Sequence, residues 1–216
     1  TNQDFITNKK YFTYYAIAEK KGYSGVALFS KKKLKAPTIT IGIGIDKFDK
    51  EGRTIIAEYD NFIVFSCYFP NGQRDHNRVP YKLEYSKTIA KKALGLKKKT
   101  NKEIIIAGDY NTAHTEIDLK NPKSNKNSTG FLPIERNWID KFIKQGFFDI
   151  FRLHHSEKEG EYTWWTYRSN CRAKNVGWRI DYIFITELLI KKTKKIYHCP
   201  NVHGSDHCPV TIELKI

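Results

Sequence analysis

Residues 54–69 read T-I-I-A-E-Y-D-N-F-I-V-F-S-C-Y-F. Two β-prone runs, Thr54–Tyr59 and Phe62–Phe69, flank Asp60-Asn61, a pair suited to a tight hairpin turn. Upstream, Ile39–Ile45 (I-T-I-G-I-G-I) predicts another strand. Its Gly42 and Gly44 lack the third glycine and the following helix of a dinucleotide fingerprint. Downstream, Tyr81–Lys98 predicts a helix. Leu83, Ile89, Ala90, Ala93 and Leu96 can share its apolar face, with Lys87, Lys91, Lys92, Lys98 and Lys99 solvated. Glu103–Ala107 predicts a short buried strand. Ile134–Gln145 predicts a second helix, with Trp138, Phe142 and Ile143 inward and Gly146 as its stop. Arg179–Ile185 and Pro209–Leu214 predict later strands, while Glu187–Cys199 has no clear pattern. Strands come in adjacent pairs and helices intervene only sometimes. That order predicts α and β layers with largely antiparallel sheets, not a regular doubly wound fold.

The chain has 216 residues, which suits a single domain, read here as 1–216. Its 40% apolar and 14% aromatic content fits a packed core rather than disorder. With 38 Lys and Arg against 23 Asp and Glu, the net charge is +15. A polyanionic partner such as nucleic acid fits that balance, and so does a lysine-rich composition with solvated faces. No apolar run approaches the roughly 20 residues of a membrane span, and no membrane partner is expected. Thr1–Lys10 has no apolar signal core. Cys67, Cys171, Cys199 and Cys208 are far apart, without the C-x-x-C spacing of a zinc site. Free thiols in a reducing, intracellular compartment are expected. Asn127-Ser128-Thr129 matches the glycosylation triplet, but no signal peptide accompanies it.

Five segments carry candidate chemistry. Ile104–Asn111 reads I-I-I-A-G-D-Y-N, an apolar strand running into Gly108, Asp109 and Asn111. In an extended chain, residues two apart project together, so a carboxylate and a carboxamide would share one side. Such a pair can bind a hard cation, orient a water or donate to a phosphoryl oxygen. Gly, Asp and Asn also favour turns, so both readings stand. Gly204–Pro209 (G-S-D-H-C-P) sets Asp206 beside His207 before the last strand. Asp181 falls in an apolar strand and needs a partner: a histidine whose tautomer it would fix, or Arg179 or a lysine in an ordinary ion pair. Tyr68, Asn71 and Arg74, where a strand gives way to a loop, offer groups suited to phosphate. Tyr162–Tyr167 mixes aromatics with nearby Arg168, Arg172, Lys174 and Arg179, as a core or a nucleic-acid platform would.

The ordered set Tyr68 and Asn71, Asp109 and Asn111, Asp181, then Asp206 and His207 resembles the exonuclease III family of abasic-site endonucleases. That family lies within the endonuclease/exonuclease/phosphatase superfamily. Gly22–Val26, Glu51–Arg53, Asp118–Lys123 and Lys174–Asp181 agree, so the resemblance runs from about Gly22 to the C-terminus. It implies a deoxyribonuclease-I-like four-layer α/β sandwich, two packed and mainly antiparallel sheets flanked by helices. It implies Mg2+-dependent hydrolysis, with Mn2+ as a possible substitute, on the 5′ side of an abasic site in duplex DNA, by a monomer. A 3′-end trimming activity is often associated. Another phosphodiesterase or phosphatase of the superfamily, or a non-catalytic nucleic-acid-binding fragment, is the alternative.

The roles implied are specific. Asp109 would orient or deprotonate the water, and Asn111 would position it. His207, oriented by Asp181, would contact the scissile phosphate, with Tyr68, Asn71 and Arg74 nearby. Asp206 would hold the metal with Asp109, Asn111 and His207. Trp164, Trp178 and Ile180 would wall the extrahelical sugar, and Tyr23, Arg53 and Asn125 would touch DNA. The resemblance also implies an N-terminal strand with an Asn and a metal-binding Glu, and this sequence is expected to begin downstream of both. Asp4 and Glu19 are not convincing substitutes. The 216 residues alone are then expected to incise weakly, and an upstream segment to raise incision and melting temperature. Where the family usually has a second DNA-contacting Asn, this chain has Ser128, with Asn127 one position out of register.

Overall fold

The structure is a computed structural model and describes residues 10–215. In chain order it runs β1 (Tyr11–Ile17), β2 (Gly25–Lys31), β3 (Thr38–Ile41), α1 (Asp46–Asp49), β4 (Thr54–Glu58), β5 (Phe62–Tyr68) and α2 (Val79–Thr100). It continues β6 (Glu103–Asp109), α3 (Pro122–Asn125), α4 (Pro133–Lys144), β7 (Phe147–Asp149), α5 (Ile150–His154), β8 (Asp181–Thr186), α6 (Glu187–Ile190), β9 (Thr193–His198) and β10 (Val210–Leu214). The central sheet has six strands in the order β3-β4-β5-β6-β8-β7. All its pairs are antiparallel except β5–β6, which needs a long crossover, supplied by α2.

The two faces of this sheet bury different layers. On one, Ile63, Phe65, Ile104, Ile106 and Phe184 pack against Ile89 and Ala93 of α2 and Trp138 and Phe142 of α4. On the other, Ile105, Ile183 and Ile185 meet Ile196, Ile212 and Leu214 of the antiparallel β9–β10 ribbon. A second ribbon, β1–β2, lies against β4 and β5. The result is a mixed α/β sandwich of two packed, mainly antiparallel sheet layers, as the sequence predicts.

The hairpin at 54–69 forms in the expected register, closed by the Tyr59 amide donating to the Phe62 carbonyl (2.9 Å). Three expectations shift. The strand predicted over Ile39–Ile45 ends at Ile41, because Gly42 and Gly44 adopt left-handed φ of 80° and 84°. The Asp49 carboxylate then collects the amides of Ile43, Gly44 and Ile45 at 2.7–3.1 Å. The unpatterned Glu187–Cys199 segment resolves into α6 and β9. Helix α2 buries Lys82, Tyr85 and Ser86 besides its apolar stripe. All four cysteines are free, and burial pushes the Cys67 thiol up to about 12, so it is unreactive. Among the described residues no helix is long and apolar enough to cross a membrane.

Candidate active site

Three neighbouring strands of the central sheet place their ends side by side. Tyr68 pairs in register with Asp109, and Asp109 with Asp181. Register partners share a sheet face, so a phenol and two carboxylates form a row where β5 and β6 end and β8 begins. The row requires Gly108. It has φ 149°, and a Cβ there would stand 1.7 Å from the Cys67 carbonyl oxygen.

Past Asp109 the chain does not stay extended. Asn111 is left-handed (φ 49°). Its amide donates to Asp109 Oδ1 (2.7 Å), and its Nδ2 to Asp109 Oδ2 (3.0 Å) and the Phe69 carbonyl (2.9 Å). The turn and the site are one object: the turn carries the carboxamide back onto the carboxylate. Asn71 Nδ2 donates to Asn111 Oδ1 at 3.0 Å, which fixes the amide's orientation.

From the other side comes the segment before β10. Bridges link Trp164 to Trp178 and to His207, and the Cys208 amide donates to the Thr163 carbonyl (2.8 Å). These contacts bring His207 to β8, where its Nδ1 donates to Asp181 Oδ2 over 2.8 Å. Arg179 is not the partner of Asp181. It is fully buried and binds Asp118 and Asp149 instead, each at 2.7 Å.

A cleft of about 330 Å³ opens between these groups. Tyr68, Asn71, Asp109, Asn111, Trp164, Trp178, Ile180, Asp206 and His207 line it, together with Ser128, Thr129 and Gly130. A larger groove of about 710 Å³, bordered by Trp165, Arg172 and His198, takes in part of the Tyr162–Tyr167 aromatic segment but none of the residues given a catalytic, metal or DNA-contacting role.

Asp181 sits behind His207 rather than in the cleft lining, and four others of those residues lie outside the cleft. Arg53 is 3% exposed and bound to Glu51 and the Tyr68 carbonyl, beneath the Tyr23 and Tyr68 rings. It supports those phenols rather than reaching a phosphate itself. Tyr23 and Arg74 are exposed beyond the rim. Asn125 turns its Nδ2 onto the Asn121 carbonyl (2.8 Å), and Ser128, three residues on, reaches the cleft. Glu19 donates its amide to Lys50 away from the cleft, and Asp4 lies outside the described residues.

The electrostatics separate two roles. Burial, then the charge of Asp181, pushes Asp109 up to about 7. Burial alone would lower His207. The hydrogen bond and charge of Asp181, with Asp109 and Asp206 behind, instead hold its imidazolium up to about 9. At neutral pH the cleft therefore offers a carboxylate near its titration point facing a fixed cation, the pairing that acid–base chemistry on a phosphate needs.

A profile of the endonuclease/exonuclease/phosphatase family matches residues 2–207. The chain belongs to that family. It is 42% identical over 206 residues to the exodeoxyribonuclease of Bacillus subtilis (strain 168), covering 95% of this chain and 80% of that protein. It is 43% identical over 210 residues to the DNA-(apurinic or apyrimidinic site) endonuclease of Dictyostelium discoideum, covering 96% of this chain and 57% of that one. The crystal structure of the AP endonuclease LMAP from Leishmania major superposes with a TM-score of 0.88 at 26% identity, over 96% of this chain and 71% of that one.

The family's nucleases depend on metal ions, generally divalent cations. The charge of the cleft suits one, since Asp109 and Asp181 crowd together and hold the Asp109 proton on. The ligand set is only partly assembled. Asp109 and the Asn111 carboxamide stand together, but Asp206 Oδ2 already accepts from Trp164 Nε1 (2.9 Å). Among the described residues no three His, Cys, Asp or Glu converge on one point. His207 keeps Nδ1 on Asp181, and as an imidazolium it is a donor for a phosphate oxygen.

The pair can be tested directly. His207 is expected to titrate near 9 in the metal-free protein, followed by its ring-proton resonances in NMR. A folded-state value above the unfolded one means that the pair's stabilisation is complete below about 6.5 and is lost as pH rises through about 9. In Asp181→Asn, burial dominates and the midpoint should drop to the ordinary range or below. An unchanged midpoint would show that the carboxylate does not hold the proton.

Nothing in the sequence singles out Lys82, Glu135 or Arg152, and Asp118 enters only as the first residue of a segment that agrees with the family; all four support the site from within. The long charged helix suggested solvated lysines, and only tertiary packing turns Lys82 inward.

Proposed function

We propose that this chain is a DNA repair endonuclease that hydrolyses the phosphodiester on the 5′ side of an abasic site in duplex DNA, using Mg2+ or, in its place, Mn2+. Trimming of 3′ ends would be a companion activity of the same cleft. One observation carries this reading: the Asp109–Asn111 turn and the Asp181–His207 pair face a single cleft walled by Trp164, Trp178 and Ile180. A sugar without its base is small and apolar enough to sit against such a wall, whereas an intact nucleotide is not.

The residues divide the work as their protonation directs. Asp109 accepts a proton from the attacking water. Asn111 holds that water in line. The His207 imidazolium and the Tyr68 phenol donate to oxygens that gain charge in the transition state. Mg2+, held by Asp109 and Asp206, would supply further charge neutralisation on the phosphate. Tyr23 and Arg74 would meet the backbone beyond the cleft. The +15 charge favours a duplex partner over a small phosphate ester.

Binding separates this from alternatives. Affinity for an abasic duplex in Ca2+ should fall steeply with salt, with a log–log slope of roughly −0.9 per phosphate contacted. Trp178→Ala should remove the preference for abasic over intact duplex and keep that slope. A flat salt response, or no preference in the parent, would overturn the proposal. The second reading, a DNA-binding chain without hydrolysis, is favoured only by the partly assembled metal ligands. It predicts the same salt slope with no incision.

A further inference from the structure

We infer that Lys82 and Glu135 are positioning residues for hydrolysis: a buried ion pair that holds the Asn111 turn and the Ser128–Gly130 loop at their working separation. The inference rests on the hydrolytic reading of the cleft. Neither residue lines the cleft. Lys82, on α2, is 2% exposed, and Glu135, in the first turn of α4, is 1% exposed.

Their hydrogen bonds reach both walls. Lys82 Nζ donates to Glu135 Oε1 (2.5 Å) and to the Asn111 carbonyl (2.7 Å). Glu135 Oε2 accepts the Gly130 amide (2.6 Å), and Oε1 accepts from the Thr129 hydroxyl (3.3 Å). The loops so held are pressed together. The Ala113 amide donates to the Gly130 carbonyl (2.8 Å), and a Cβ on Gly130 would stand 2.9 Å from the Asn111 oxygen. On the third side, a Cβ on Gly72 would meet the Thr129 hydroxyl at 2.1 Å. The loops carrying Asn71, Asn111 and Ser128 therefore interlock around one ion pair.

Stability does not explain the pair. A buried ion pair is often no better for the fold than apolar residues of the same volume. What apolar residues cannot do is donate to the Asn111 carbonyl and accept the Gly130 amide. Asn111 sits in the left-handed region, which Asn enters more readily than other side chains, so the turn forms locally while its carbonyl is held in place by Lys82. A released turn would swing the carboxamide off Asp109.

The test uses the full chain with Lys82→Met/Glu135→Met, which removes both charges together, and Lys82→Arg as the conservative variant. Single-turnover incision of an abasic duplex in Mg2+ should slow about 10- to 100-fold in the double variant, with its Kd in Ca2+ within about threefold of the parent. Lys82→Arg should recover most of the rate. A folded double variant incising at the parent rate, or losing affinity in proportion to rate, would overturn the inference. Should the double variant not fold, Glu135→Gln keeps the shape and weakens the hold on Lys82, and the same split between rate and Kd decides. Hydrogen exchange at the Gly130 amide keeps the two readings apart. If the parent does not incise, the hydrolytic reading fails. Faster Gly130 exchange in the variant would then still support the pin, and unchanged exchange would overturn it.

Discussion

His207→Ala is expected to slow single-turnover incision of an abasic duplex by about 10²–10³-fold, the usual cost of losing one transition-state donor. Asp181→Asn should damage the same step, because the carboxylate fixes the tautomer and charge of the ring across 2.8 Å. Residues acting as a unit give non-additive losses, so the double variant should be little slower than the slower single one. Duplex affinity in Ca2+ should change far less than rate, since the imidazolium matters most when charge develops on the phosphate. Multiplicative losses across the four proteins would show that Asp181 acts independently of His207.

Arg179→Met should cost more stability than any surface change. Arg179 is fully buried and binds Asp118 through Nε and Asp149 through Nη2, while Arg152 takes the same Asp118 oxygen at 2.6 Å. These two guanidiniums outweigh the burial that would raise Asp118 and hold its carboxyl far below the usual range. Removing Arg179 strands buried carboxylate charge, a loss of about 3–5 kcal/mol. For a chain of this length that lowers Tm by about 6–20 °C. The sign with pH follows from the lowered carboxyl. The network's contribution is complete above the unfolded value near 3.8 and fades as pH falls below it. Incision should fall as well, because Leu119 bridges Trp178 next to this network and Trp178 walls the cleft. Thermal unfolding followed by circular dichroism measures the shift, and a Tm within about 2 °C of the parent would contradict the account.

These expectations show which parts of the molecule are written locally. The hairpin at 54–69 is legible because alternation and a two-residue turn are short-range signals. The Ile39–Ile45 run misleads because an apolar alternation cannot reveal that Gly42 and Gly44 turn left-handed around Asp49. The β1–β2 ribbon passes unnoticed because five of the seven residues of β1 are half-buried in succession, without the polar alternation that marks a strand.

The site divides in the same way. Asp109, Asn111, Asp181 and His207 are visible as side chains that apolar strands and loops do not need. Their convergence is not local, since His207 and Asp181 are 26 residues apart in sequence. The supporting charges, Lys82 with Glu135 and Arg179 with Asp118, look like ordinary surface residues until the layers close over them. Ser128 stands where the resemblance puts a second DNA-contacting Asn and does reach the cleft, while the short helix α3 turns Asn125 aside, which no residue count could show.

The most direct measurement is the position of the cut. A duplex with one central, chemically stable abasic site, labelled at the 5′ end of the damaged strand, is incubated with excess protein in Mg2+ and its products are sized. The account predicts a single break immediately 5′ of the abasic site, ending in a 3′-hydroxyl, lost on chelation of the metal and slowed in His207→Ala. Cleavage on the 3′ side, cleavage indifferent to metal, or an unchanged rate in His207→Ala would contradict it.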